Sequence, residues 1–152
     1  KVNQNMTFIS TRRDILRAGL ALGTSCLVPP ARACEFFAST LRVTHPWTRV
    51  TPADAPFAIV SMKIDQVTKT DRLIGVVTPV ATGVELGGIS TGHGLNLLIE
   101  RGRDIQLLET GVHLRLLGLT QALLIARTYP MRLIFETGGV LEAELNVDYE
   151  MS

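Results

Sequence analysis

The chain predicts an all-β fold, a two-sheet β-sandwich, and three features of the sequence carry that expectation. Nine short apolar segments follow one another from Leu41 onward, at roughly 8–12-residue spacing with Gly and Pro between them. Several alternate strictly, which is the period of a strand with one buried and one wet face. Only one stretch, Thr120–Arg127, has a helical composition, and it is short enough to be a turn or connector.

The elements follow in order. Leu41–Val50 carries Leu41, Val43 and Trp47 before Thr51-Pro52. In Phe57–Ile64 the set Ala58, Val60, Met62 and Ile64 is wholly apolar, as a core-facing side of a strand should be. Arg72–Thr78 is a Leu-Ile-Gly-Val-Val run ended by Pro79. Gly83–Ile89, Gly94–Glu100 and Ile105–Glu109 succeed it closely, and His113–Leu119 alternates His113, Arg115 and Leu117 with Leu114 and Leu116. Arg127–Glu136 and Val140–Tyr149 are joined by Thr137-Gly138-Gly139, where the two glycines are expected to supply the positive φ angles of a tight turn. After the turn, Leu141, Ala143, Leu145 and Val147 form the side expected to be buried, with Val140, Glu142, Glu144 and Asn146 opposite. Met62, Met131 and Trp47 are expected in the core.

The charge is unevenly placed. The chain has 152 residues and a formal net charge of +1. Residues 1–33 hold Lys1, Arg12, Arg13, Arg17 and Arg32 against Asp14 alone, so the remainder is net acidic. Thr11-Arg-Arg-Asp-Ile-Leu-Arg17 resembles the twin-arginine export motif. It is followed by an apolar stretch from Ala18 to Val28, by Pro29-Pro30 and by Ala31-Arg-Ala33, a small-x-small cleavage pattern. Met6 suits initiation, and residues 1–5 are given no role. The expectation is a cleavable twin-arginine signal segment over 1–33, a mature domain over 34–152 and a periplasmic location. The other reading, an N-terminal helix, is weakened by Gly19, Gly23 and the double proline. Cleavage there leaves Cys34 first. Lipid attachment favours Leu three residues before the cysteine, and Ala31 stands there. With Cys34 as the one mature cysteine, no internal disulfide is expected.

Other classes are excluded on composition and motif. No apolar run reaches the roughly 18 residues of a spanning helix, so no transmembrane segment is expected after cleavage. There is no basic stripe with interleaved aromatics for nucleic acid. Gly87-Gly88 and Gly92-His-Gly94 lack the strand–helix context and lysine of a phosphate loop. No nucleophile–base–acid constellation appears, so the chain is not read as an enzyme.

The ordered motifs resemble one family. Val43-Thr-His-Pro-Trp-Thr-Arg49 comes first, then the loop Thr51–Pro56, then Asp71-Arg-Leu-Ile-Gly-Val-Val-Thr-Pro79 and Val84-Glu-Leu86. Gly111-Val-His-Leu-Arg-Leu-Leu-Gly-Leu119 and Met131-Arg-Leu-Ile-Phe-Glu136 follow, with the terminal Gly-Gly hairpin. Together, over about Leu41 to Val147, this is similar to the PCu(A)C family of periplasmic copper chaperones. The resemblance implies a cupredoxin-like β-sandwich that binds Cu(I) and delivers it towards the copper centre of respiratory oxidase, with oxidase-assembly proteins as partners. It also implies a site of two His and two Met, a neutral, soft donor set suited to Cu(I).

Carried across residue by residue, that ligand set is depleted. Gly87 follows Val84-Glu-Leu86 where the first His is expected, and Leu98 falls near the place of the first Met. His113 matches the second His, and Arg115 occupies the place of the second Met. The span from Leu98 to His113 is also shorter than in the family. Arginine cannot ligate a metal. Its charge about 5 Å from a monovalent ion costs on the order of 3 kcal/mol at an effective dielectric near 20. His93, in Ser90-Thr-Gly-His-Gly94, is the residue that could join His113 in a remodelled metal site, with Glu85 or water as a third group. Such a nitrogen-rich set suits Cu(II) or Zn better than Cu(I). Against this stand plainer readings: His93 as a solvated loop histidine, His113 as a packed strand histidine, His45 as a packing or capping residue. Two functions follow: a copper-chaperone-like protein with a weakened or altered metal site, or a metal-free binding or assembly module that kept the sandwich and lost the copper.

Overall fold

The computed structural model describes residues 34–89 and 94–148. Residues 1–33, where a signal segment is expected, His93 and the last four residues lie outside the described residues. Within them there are ten strands and no helix: β1 Glu35–Phe37, β2 Arg42–Arg49, β3 Phe57–Asp65, β4 Asp71–Val77, β5 Ala81–Gly87, β6 Leu97–Ile99, β7 Ile105–Leu107, β8 His113–Leu119, β9 Thr128–Phe135 and β10 Gly139–Asp148. All nine expected segments contain a strand, with ends shifted by a few residues. β1 was not expected: three residues give too short a pattern to read.

The strands form one hydrogen-bonded path, β5-β8-β3-β2-β10-β9-β4-β6, with β1 added beside β2 and β7 beside β3. The pairs are antiparallel apart from β2 and β10, which run parallel over Trp47–Arg49 and Asn146–Asp148. β4 comes back against β5. The expected sandwich is therefore one sheet rolled nearly closed, its two halves continuous through the β2–β10 pairing. Thr120–Arg127 is a connector, as its length suggested, pinned by a bridge from Leu123 to Thr51.

The core is where the alternation placed it. Val60, Ile64, Leu114, Leu116, Leu133, Leu145 and Leu73 are fully buried across the two halves. On β3, Ala58, Val60, Met62 and Ile64 face inward; on β10, Leu141, Ala143, Leu145 and Val147 do so. Met131 is also fully buried. Trp47 departs from expectation: it is only half-buried, because a β-bulge between Thr44 and Trp47 turns this end of β2.

The β9–β10 hairpin also differs in detail. Phe135 pairs with Gly139, leaving a three-residue loop of Glu136, Thr137 and Gly138. Gly139 alone takes a positive φ, 79°, the left-handed residue that closes a three-residue hairpin loop. Gly138 is selected for space instead: a Cβ there would lie 2.5 Å from Thr40 Oγ1 and 2.9 Å from Asp71 Oδ2.

Candidate functional site

His113 opens β8, just after the tight loop that leaves β7. In that loop Leu108 N–H donates to the Val112 carbonyl (2.9 Å) and Gly111 N–H to the Leu108 carbonyl (3.0 Å). The loop turns the Gly111 carbonyl back onto the His113 ring, where Nδ1 lies 2.8 Å from it. The ring is buried, 5% exposed. On the other side of the ring, Arg115 Nε–H points at Nε2 from 3.3 Å. A carbonyl only accepts and a guanidinium only donates, so one tautomer satisfies both: the proton on Nδ1, the lone pair on Nε2.

Arg115 is itself held from three directions. Besides His113 it meets Glu85, with Nη1 3.6 Å from Oε1, and lies over the ring of Phe57, 5.0 Å from its centroid. Glu85 stands directly across from Arg115 in the β5–β8 ladder. Opposite charges facing each other across two strands reinforce the pairing. The guanidinium thus has partners on β3, β5 and β8.

Gly87 pairs with His113 in the same ladder. A Cβ built on Gly87 would overlap His113 Nε2 and come within 2.7 Å of Arg115 Nε. The space that a ligating side chain would need at position 87 is filled by the imidazole and guanidinium. Leu98 lies opposite Arg72 of β4, 43% exposed, and offers no donor atom. Beside the site, Arg49 grips Glu109 with two hydrogen bonds, 2.7 and 2.8 Å. That contact outweighs partial burial and holds the Glu109 carboxyl below its usual range, with a smaller contribution from His113.

Of the residues singled out from sequence, the structure gathers His113, Arg115, Gly87 and Glu85 at one end of β5 and β8; His93 lies outside the described residues. No group of three or more His, Cys, Asp or Glu able to hold a metal ion occurs among the described residues. Sequence reasoning missed Phe57 as a seat for Arg115, and the Arg49–Glu109 pair. Neither has a local signal, since both join segments far apart in the chain.

A family model, LpqE-like, matches residues 41–147. The chain belongs to the LpqE-like family. Solved structures with the same fold are PCuAC domains. The copper-bound PCuAC domain from PmoF2 superposes with a TM-score of 0.69 at 20% identity, covering 76% of this chain and 98% of that one. The apo PCuAC domain from PmoF1 gives 0.69 at 22%, covering 76% and 99%. The Cu(I) form of DR1885 from Deinococcus radiodurans gives 0.58 at 22%, covering 71% and 78%. No curated protein sequence matches. The LpqE-like chain thus has the copper-chaperone-like fold that its motifs implied, and among its described residues no helix is long and apolar enough to cross a membrane.

Proposed function

We propose that this LpqE-like chain is a periplasmic binding or assembly module in which Arg115 replaces the metal ion as the partner of His113. One observation carries the reading: the Nε2 lone pair that a copper ion would need is aimed at the Arg115 guanidinium. A fixed cation there repels a second one, and with Gly87 and Leu98 in place of donors, His113 would be left to bind copper almost alone. The surface that meets a partner then matters more than the imidazole.

A second reading keeps copper. His113 is buried with Nδ1 anchored to a backbone carbonyl, which is how metal-binding histidines are commonly oriented. The Arg115 contact is long. On this reading His113, with His93, handles copper weakly, for delivery in oxidase assembly.

Cu(I) affinity measured by competition with a chromophoric chelator separates them. We expect the purified protein and His113→Ala to bind alike. Tight one-to-one binding that disappears in His113→Ala would instead restore the copper-delivery reading. The export reading has its own test: Arg12-Arg13→Lys-Lys should abolish export, and unimpaired export would refute the twin-arginine assignment.

A further inference from the structure

The outer face of β6, β4, β9 and β10 is unusually apolar for a solvated sheet surface. Of the nine large apolar side chains exposed among the described residues, four stand on these strands: Ile74, Val77, Leu98 and Val140. On β9, Met131, Leu133 and Phe135 point into the core, so Arg132, Ile134 and Glu136 face outward. Register arranges the face in rows. Gly75, Ile134 and Val140 stand side by side across β4, β9 and β10. A bulge between Leu73 and Gly75 brings Ile74 out beside them, 46% exposed, and Val140 is 59% exposed. Ile134 lies over Gly75, where a Cβ would come 3.1 Å from its Cδ1.

Charges bound this apolar middle on both sides. In the next outward row Val77, Arg132 and Glu142 are neighbours, and Arg132 Nε lies 2.7 Å from Glu142 Oε1. In the row on the other side Arg72 pairs with Leu98, and Glu136 N–H donates to the Arg72 carbonyl at 2.9 Å. The Glu136 carboxylate is 3.9 Å from the Arg72 guanidinium. Two arginines and two glutamates leave the face neutral, in a domain that is otherwise net acidic. Along β9 the order is Arg132, Ile134, Glu136: opposite charges at equal distances on either side of an apolar residue.

We propose that this face is a homodimer interface, with a two-fold axis running across the strands at the row of Ile134. Turned about that axis, Arg132 of each copy comes over Glu136 of the other, so one charge pair is made twice. Ile74, Ile134 and Val140 lie nearest the axis and meet their own copies. Arg72 falls over Val77 and Glu142 over Thr137, so no like charges are opposed. Such a contact is isologous, one patch serving both partners, and the strands of the two sheets run aligned as in packed sheets generally. The apolar middle supplies the attraction, since exposed ion pairs contribute little by themselves. The charges set the register and the choice of partner. The proposal does not depend on how His113 is read, because these strands lie apart from the β5–β8 end where His113 sits.

The test is the mass of the purified protein in solution by sedimentation velocity at low ionic strength, over a range of concentrations. The parent should dimerise. Arg132→Glu and Glu136→Arg change exposed side chains, and circular dichroism should show both variants folded. Each should weaken self-association at least tenfold, because four like charges then face one another. Mixing the two variants in equal amounts should restore a dimer, now of one copy of each, and Arg132→Glu/Glu136→Arg should dimerise by itself. A parent that is monomeric at every concentration, single variants that dimerise as the parent does, or a mixture that stays monomeric would each overturn the proposal. The first of these would leave the face to a different protein.

Discussion

Asp71 shows how much one side chain can organise. It is 2% exposed and accepts four hydrogen bonds: from Thr40 Oγ1 at 2.7 Å, and from the N–H groups of Arg72, Thr137 and Gly138 at 2.8 Å each. Burial pushes its carboxyl up, but the four donors outweigh burial and hold it below the usual range. Asn cannot accept through both arms, so at least one buried donor would lose its partner in Asp71→Asn. We expect a loss of about 2–4 kcal/mol, read as a lower midpoint in urea unfolding at neutral pH. At the candidate site the comparable residue is Arg115. Arg115→Met removes the guanidinium from Nε2 and adds a thioether. It should gain a Cu(I) equivalent at least tenfold tighter than any His113-dependent binding in the parent, lost again in Arg115→Met/His113→Ala, by the same chelator competition.

Strand pairs carry the next level. β5 and β8 are held in register over Ala81–Gly87 and His113–Leu119, which is what puts Gly87, Glu85, His113 and Arg115 together. Gly87→Ala leaves the backbone free to form the ladder but drives a methyl into the imidazole. The expected cost is about 1–3 kcal/mol, with a displaced His113 ring visible in its NMR shifts. In the β9–β10 hairpin, Leu145 is fully buried at the centre of β10, and Leu145→Ala should cost about 2–5 kcal/mol in denaturant unfolding through the cavity it leaves.

Across the molecule, the acid limb of stability is set by carboxylates with fixed partners. Asp65 takes two hydrogen bonds from Arg42, 2.7 and 2.8 Å, and an ion pair from Lys63 at 3.1 Å. Arg42 first, against the opposing effect of burial and with help from Lys63, brings its pKa down to about 2. A carboxyl depressed on folding stabilises the native state at pH values above its unfolded pKa. That contribution is lost as pH falls through the folded value. Between about pH 4 and pH 2 the protein should therefore lose on the order of 2 kcal/mol through Asp65, with Asp71 and Glu109 adding losses of the same sign. Unfolding free energies measured at pH 5 and pH 2.5 should differ by less in Asp65→Asn than in the parent.

The strand content, the inward faces of β3 and β10, and the place of β8 were legible in the chain because they depend on a two-residue period that each segment carries by itself. His113 and the vacancies at Gly87 and Leu98 were legible for a related reason, as they rest on local motifs. Closure of the sheet, the parallel β2–β10 pairing and the bulge at His45 were not, since each depends on which distant strand lies alongside. The contacts that give the site its chemistry belong to that second kind. Arg115 reaches His113 from two residues away, but Glu85, Phe57 and the space over Gly87 come to it from β5 and β3. The sequence alone determined which residue types stand at these positions. Only the tertiary structure decided that the His113 lone pair faces a guanidinium, because packing of three strands sets that geometry and no local pattern records it.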